Sequence, residues 1–564
     1  MTMRSRNLAI TIALALLVSC TSGAGEEPAA STGQANASPV SDTVVAGSPG
    51  GTAFESACGL SRSVLQTLRR GYFAGRSPEI VTVPRAPNFF GSFTATTHSG
   101  PWDYLQEVPL ALYGPGFIQS YGDLTLDRPV TLADLAPTLA ELVDMPWPRD
   151  RPGRPLTEAL VPEDSRPSPT PSVIVVVVWD GGGWNVLNRW PDQWPVLAGL
   201  MDEGTSVQGV RVGSSPSVTP AIHATIGTGA FPKQHGIVDI LLRDGESVAG
   251  SWDEQSPTYL QVPTLADLYD FDTDNRAEIG MVAEKGWHLG MIGRGAAMEG
   301  GDKDHAVMGD IPGRLYTNPD LYSLPSYLQE VEGYDDDVRT VDLSDGRIDS
   351  SWQGHEMLDD PEEARLTPVF SLYQNRLIKE LFEREGYGDD AVTDLFFTNY
   401  KQMDLIGHAW NMTEPEESDA IRYSDEALGD LVSYLNAEVG ADEWVMAVTA
   451  DHGQTPLAST NGAWPIDVNE MGNDAASKFS LESPELIQAQ RPSAMWLNSR
   501  VVKEADISYK EISEFLLDYT VGDNVSDDAT VPAEYEDRMS EPVFEAAFPY
   551  TWMPQVWDCA LTRS

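Results

Sequence analysis

Residues 172–179 form a nearly pure β-branched run, Val173-Ile174-Val175-Val176-Val177-Val178, closed by Trp179-Asp180-Gly181-Gly182-Gly183. A continuous apolar stretch without polar alternation predicts a strand at the centre of a parallel sheet covered on both faces. Two further apolar runs end in acidic and imidazole groups: 395–400 leads to Asp404, and 444–449 leads to Asp451-His452. Between them the spacing predicts helices over 368–385 and 416–439. The alternation of β and α predicts an α/β fold, a central mostly parallel sheet with helices on both faces. Ligands of such sheets gather beyond the carboxyl ends of the strands, where Asp180 falls.

Ahead of this region the pattern changes three times. Arg4 and Arg6 precede an apolar run over 8–18 that is too short to span a bilayer comfortably. It ends in Leu17-Val18-Ser19-Cys20, which resembles the lipobox of bacterial lipoproteins. That resemblance implies a signal peptide over 1–19, lipidation of Cys20, and an exported protein anchored to the outer face of the bacterial cell membrane. An ordinary cleaved signal with a stray cysteine is the alternative. Residues 20–53 are rich in Gly, Ala, Ser, Thr and Pro and read as a flexible tether. A stretch over 54–160, with a helix-like 134–142, is divided from the main run of 172–564 by a Pro/Ser-rich linker over 161–171. Cys58 and Cys559 remain as an even pair, which in an exported chain suggests a disulfide; two buried free thiols are the alternative.

Composition excludes several functions. The chain has 564 residues and a formal net charge of −50, and phosphate backbones repel such a polyanion, so binding of a nucleic-acid polymer is not expected. With 41% hydrophobic residues and 15 Trp the charge does not signal disorder. The excess of carboxylates resembles the surface of salt-adapted proteins, and a monomer is expected.

The chemistry lies at the predicted strand ends. Asp404 and His408 stand four residues apart, and Asp451-His452-Gly453 follows another strand. Oxygen and nitrogen donors converging there suit zinc or another first-row divalent ion. A further element is Ser217-Val218-Thr219-Pro220-Ala221-Ile222-His223-Ala224-Thr225-Ile226-Gly227-Thr228-Gly229, followed by Phe231-Pro232-Lys233-Gln234-His235-Gly236-Ile237.

Together these motifs resemble the alkaline phosphatase superfamily, in its nucleotide pyrophosphatase/phosphodiesterase-like branch. The resemblance implies that Thr219 is the nucleophile, with His223 at the family spacing. It implies two Zn2+ ions, or other divalent metal ions, one on Asp180, Asp451, His452 and the Thr219 oxygen, the other on Asp404 and His408. In the family the second ion takes a third His from near the C-terminus, yet no His follows His452. The segment Gly91-Ser92-Phe93-Thr94-Ala95-Thr96-Thr97-His98-Ser99-Gly100-Pro101-Trp102-Asp103-Tyr104 resembles the block that carries it. The expectation is therefore a circular permutation: residues 54–160 are the last part of the catalytic domain moved to the front, and His98 supplies the ligand. A Cys58–Cys559 bond would then tie the new ends together.

The implied activity is hydrolysis of small phosphoesters, by a phosphodiesterase or nucleotide pyrophosphatase. A phosphomonoesterase is the first alternative, and a non-catalytic metal-stabilised surface lipoprotein the second. Where the family has an Asn contacting phosphoryl oxygens, this chain has Ile240, with Asp239 before it. Of the cationic pair that clamps a dianion in monoesterases only Arg294 has a plausible counterpart, so Arg294 and His223 are the expected substrate contacts. His288 is an alternative pocket residue whose structural role is the commoner one. The acidic stretch around Asp335-Asp336-Asp337 lacks an ordered calcium-ligand spacing.

Overall fold

The computed structural model of the protein describes residues 43–526 and 531–563; the expected signal peptide, Cys20 and the tether up to residue 42 lie outside the described residues. Twelve strands build the two larger sheets. In chain order they are β1 (Ile80–Pro84), β2 (Leu110–Tyr113), β3 (Gly122–Leu124), β4 (Val173–Trp179), β5 (Thr205–Val207), β6 (Ile279–Ala283), β7 (His305–Met308), β8 (Asp394–Tyr400), β9 (Trp444–Thr449), β10 (Ile487–Arg491), β11 (Ala494–Leu497) and β12 (Phe544–Pro549). The eight-stranded sheet has the order β7-β6-β8-β4-β9-β2-β5-β3. β7, β6, β8, β4 and β9 are mutually parallel, and β2 runs against both β9 and β5.

All seven residues of β4 are buried, as its unbroken β-branched sequence requires. Its side chains alternate between two cores. Val173, Val175, Val177 and Trp179 pack with the helices Val369–Glu385 and Pro415–Leu435, through Phe370, Tyr373, Leu377, Leu428 and Leu431. Ile174, Val176 and Val178 face the opposite layer, with Leu110, Leu112, Leu135, Leu139, Ile222 and Ile226. Burying each such side chain is worth about 1.5–3 kcal/mol, which makes β4 the spine of the sheet. Leu110, Leu112, Leu135 and Leu139 precede the Pro/Ser stretch, so the segment before it belongs to the core of the main sheet.

The Pro/Ser stretch is held against the fold. Arg166 ties it down, donating from Nε to the Val161 carbonyl and from Nη1 to Pro169, and Pro167 packs against Gly116. β1 pairs with β11 and with β12, so a strand from the first hundred residues and three from the last hundred share one antiparallel sheet, β10-β11-β1-β12. Its cores combine Ile80 and Phe90 with Trp464, Met495 and Phe544 on one side, and Leu65 and Val83 with Phe548 and Val556 on the other. Cys58 and Cys559 are bonded, joining the helices Gly51–Gly59 and Met553–Thr562. The expected tether over 20–53 is also shorter: Val45 and Ala46 are buried in the small core, because an apolar pair next to Tyr509 and Ile512 has somewhere to pack.

Candidate active site

Strand register builds the site. Trp179 of β4 lies opposite Tyr400 of β8, and Val178 opposite Thr449 of β9. The residues that follow, Asp180, Lys401 to Asp404, and Asp451-His452, therefore leave the sheet at one edge. The loops there touch backbone to backbone: a Cβ on Gly183 would lie 2.5 Å from the Gly453 Cα. Gly181 takes φ 74°, and its N–H donates to Asp451 Oδ1 at 3.0 Å.

Two groups of donors converge on this edge. Asp404 Oδ1 faces His408 Nε2 at 3.3 Å and His98 Nε2 at 3.4 Å. His452 Nε2 lies 3.3 Å from Asp451 Oδ2 and 3.5 Å from Asp180 Oδ1. The rings of His98 and His452 stack with centroids 3.6 Å apart, which brings the two groups together. His98 arrives on a loop fastened from three sides. Thr455 Oγ1 donates to the Thr97 carbonyl at 2.6 Å, Asn411 Nδ2 to Thr96 Oγ1 at 3.1 Å, and Ser217 Oγ to the His98 carbonyl at 2.7 Å.

The hydrogen bonds of the three imidazoles fix what their inner nitrogens can do. His98 Nδ1 donates to the Ser217 carbonyl at 2.8 Å, His408 Nδ1 to Thr96 at 2.9 Å, and His452 Nδ1 to Gly453 at 3.0 Å. In the neutral ring each Nε2 is then a bare acceptor aimed at a carboxylate, an arrangement that repels unless a cation lies between. Asp404 Oδ1, Asp451 Oδ2 and His452 Nε2 are buried and make no hydrogen bond. Separations of 3.3–3.5 Å are long for charged hydrogen bonds, but two donors about 2.0–2.1 Å from one tetrahedral ion stand about that far apart. The residues therefore fit divalent metal ions: His98, Asp404 and His408 form one candidate group, and Asp180, Asp404 and His452 another.

The electrostatics agree for His98 but not for His408. Burial, and next the Asp451 carboxylate, push the Asp180 carboxyl up to about 8. Burial and the neighbouring His452 hold His98 well below the usual imidazole range, so it is neutral at pH 7. On His408 burial opposes charge, but Asp404 outweighs it and raises the ring above its usual range. Burial also opposes ionisation of Asp404, where Lys401, His408 and His98 outweigh it.

Thr219 opens the helix Thr219–Thr228, with Pro220 beside it, so the helix points its free N–H groups and positive end toward the carboxylates. The same helix packs closely on the turn Gly286–Gly290, where a Cβ on Gly290 would meet the Ala224 nitrogen at 2.5 Å. Lys401 Nζ stands 3.3 Å from Thr219 Oγ1, 2.9 Å from Asp180 Oδ1 and 2.6 Å from Asp404 Oδ2.

Of the expected site residues, Asp180, Thr219, Asp404, His408, Asp451, His452 and His98 come together. Of the two expected substrate contacts, His223 touches this cluster and Arg294 does not. His223 is fully buried, with Nδ1 3.1 Å from His288 Nδ1 and Nε2 3.6 Å from Asp451 Oδ2, so it props Asp451 from beneath. Arg294 donates from Nη2 to the Leu260 carbonyl, and its own N–H is held by Asp267 Oδ1; among the described residues no hydrogen bond or ion pair joins it to the cluster. The turn after Gly293, φ 90°, carries it toward the Thr264–Asp267 cap instead. Two residues escaped the sequence reading. Asn399 Nδ2 donates to Asp180 Oδ2 at 3.2 Å, and Lys401 sits among the ligands. The available signal was a lysine three residues before Asp404 in a chain with very few of them.

Comparison with known proteins follows the same geometry. The model of the type I phosphodiesterase / nucleotide pyrophosphatase family matches residues 174–553, more than half of the chain. The alkaline phosphatase PhoV of Synechococcus elongatus is 22% identical over 417 residues, 62% of this chain and 72% of that protein. The alkaline phosphatase PafA of Elizabethkingia meningoseptica is 21% identical over 401 residues, 62% of this chain and 73% of that protein. The crystal structure of wild-type PafA aligns with a TM-score of 0.51 at 18% identity, covering 62% of this chain and 76% of that one, a likeness of fold. The chain thus belongs to the type I phosphodiesterase / nucleotide pyrophosphatase family, in the alkaline phosphatase superfamily, and is a phosphoester hydrolase.

Proposed function

We propose that the protein is a two-zinc hydrolase of small phosphoesters that works through Thr219. The observation that carries this is the set of imidazoles turned Nε2-inward onto Asp404, Asp451 and Asp180, with Thr219 at the head of a helix beside them. Asp180, Asp451, His452 and the Thr219 oxygen would hold one ion, and Asp404, His408 and His98 the other. When bound, the ions supply positive charge to the attacking and leaving oxygens.

The chain's residues do the rest. The helix terminus directs Thr219 Oγ1 at phosphorus. The hydroxyl proton passes to water, the Oγ1–P bond forms, and the bond to the leaving oxygen breaks with its electron pair. Water then cleaves the phosphothreonine and restores the hydroxyl. Stacked on His452 and hydrogen-bonded to Ser217, His98 keeps its ring from turning between steps.

A diester or a nucleotide pyrophosphate linkage suits this site best. The Ile240 side chain offers no donor and Arg294 is engaged elsewhere, so neither supplies a contact for a dianion. A monoester is the second reading, supported by two relatives named alkaline phosphatases. Hydrolysis of bis-p-nitrophenyl phosphate and p-nitrophenyl phosphate, with zinc and beside Thr219→Ala, tests both. A higher kcat/KM on the diester is expected; faster monoester turnover favours the second reading, and no turnover above the variant removes both.

We further propose that the chain is circularly permuted and lipid-anchored through Cys20. The family match begins at residue 174, after His98, and the small sheet joins a strand at residues 80–84 to one at residues 544–549, which supports the permutation. The sequence around Cys20 supports the anchor; Cys20→Ser is expected to release the protein from membranes, and retention there would refute it.

A further inference from the structure

Lys401 is the first residue after β8 and stands just ahead of the helix Gln402–Trp410 that carries Asp404 and His408. Its side chain is 2% exposed, and three oxygens surround its ammonium: Asp180 Oδ1, Asp404 Oδ2 and Thr219 Oγ1. Burying a lysine is costly unless its charge is paired, and two carboxylates offset that cost here. The third contact is not needed for pairing, yet it falls on the oxygen that attacks.

On Asp404, Lys401 and the imidazoles use different oxygens. Asp404 divides its oxygens, with Oδ1 toward the imidazoles of His98 and His408 and Oδ2 toward Lys401. The ammonium therefore occupies the other side of that carboxylate from the metal-ligand group. Asp180 Oδ2 is taken by Asn399, which leaves Oδ1 shared between Lys401 and the His452 group.

We propose that Lys401 is a further catalytic residue, a resident cation that donates a hydrogen bond to Thr219 Oγ1 and stabilises the oxygen as its proton leaves. This rests on the threonine mechanism above. The lysine keeps its own proton throughout: the Thr219 proton goes to water, Oγ1 bonds to phosphorus, and the leaving oxygen departs with its electron pair. In protein without metal the same ammonium balances Asp180 and Asp404.

The test compares Lys401→Met and Thr219→Ala with wild type, measuring zinc content, kcat/KM against pH on bis-p-nitrophenyl phosphate, and melting temperature after chelation. Lys401→Met is expected to keep its zinc, lose about 100-fold in kcat/KM, as removal of one stabilising donor does, and shift the acid limb of the profile to higher pH. The chelated variant is expected to melt below chelated wild type. An unmoved acid limb, or kcat/KM within about threefold of wild type, overturns the proposal and leaves Lys401 an ion-pairing residue. If Lys401→Met does not fold, Lys401→Gln is judged by the same limb. Thr219→Ala as active as wild type brings down the threonine mechanism itself, whereas an inactive Thr219→Ala beside an unchanged Lys401→Met brings down only the lysine's role.

Discussion

The two sides of the active site are built differently. On the metal-ligand side each of the three imidazoles is held from behind by a hydrogen bond, with Thr96, Ser217 and Gly453 accepting from them. On the side where a substrate would lie, long side chains are spent elsewhere: Arg294 caps a neighbouring loop, Ile240 is apolar, and His223 is buried under Asp451. The first side dictates the reaction type, which the family shares. The second is free to vary, which makes it the part that distinguishes substrates.

Substitutions sharpen this contrast. Thr219→Ala should have the largest effect, a loss of about 10³-fold or more in kcat, since in the proposed mechanism it removes the nucleophile. His98→Ala should lose one of two zinc equivalents and about 100-fold in kcat/KM; two full equivalents retained would show that His98 is a bystander. His223→Ala, acting through Asp451, should cost about 10–100-fold, mostly in kcat and zinc affinity rather than KM, because the residue is fully buried.

His235 offers a pH test next to this wall. Its Nδ1 accepts from the Ile237 N–H at 3.2 Å and its Nε2 lies 3.1 Å from Thr225 Oγ1, a pattern that demands the neutral ring. Burial, and next Arg151, depress it to about 3. The folded value lies below the unfolded value of about 6.5, so this group's contribution to stability is complete above that pH and is lost as pH falls toward 3. In urea melts His235→Gln should show a shallower decline across that window than wild type; parallel slopes would contradict the assignment. The smallest effect belongs to Arg294→Ala, expected to leave KM within about twofold; a large rise in KM would return Arg294 to the pocket and erase the contrast.

The ligand side was legible in the sequence for a physical reason. A strand buried on both faces must be an unbroken apolar run, so 172–179, 395–400 and 444–449 announced themselves, and the polar residues that end them had to emerge together. His98 needed the resemblance, because nothing local marks a His on an irregular loop as a ligand. Arg294 turns away from the cluster because motif spacing fixes where a backbone passes, not where a long side chain turns; that depends on Asp267 and Leu260, which are remote from the motifs. Lys401 was passed over because a lysine among ligand carboxylates runs against the usual expectation that the metal ions alone balance them. The small sheet was invisible for a related reason: β1 and β12 pair across nearly the whole chain, and neither short strand reveals its partner.

The most direct test of the central claim is to quench the zinc-loaded enzyme in acid during turnover of a p-nitrophenyl ester and map the phosphorylated residue by mass spectrometry. A phosphoryl group on Thr219, absent from Thr219→Ala, is the predicted result. An adduct on another residue, or undiminished turnover by Thr219→Ala, would contradict the account.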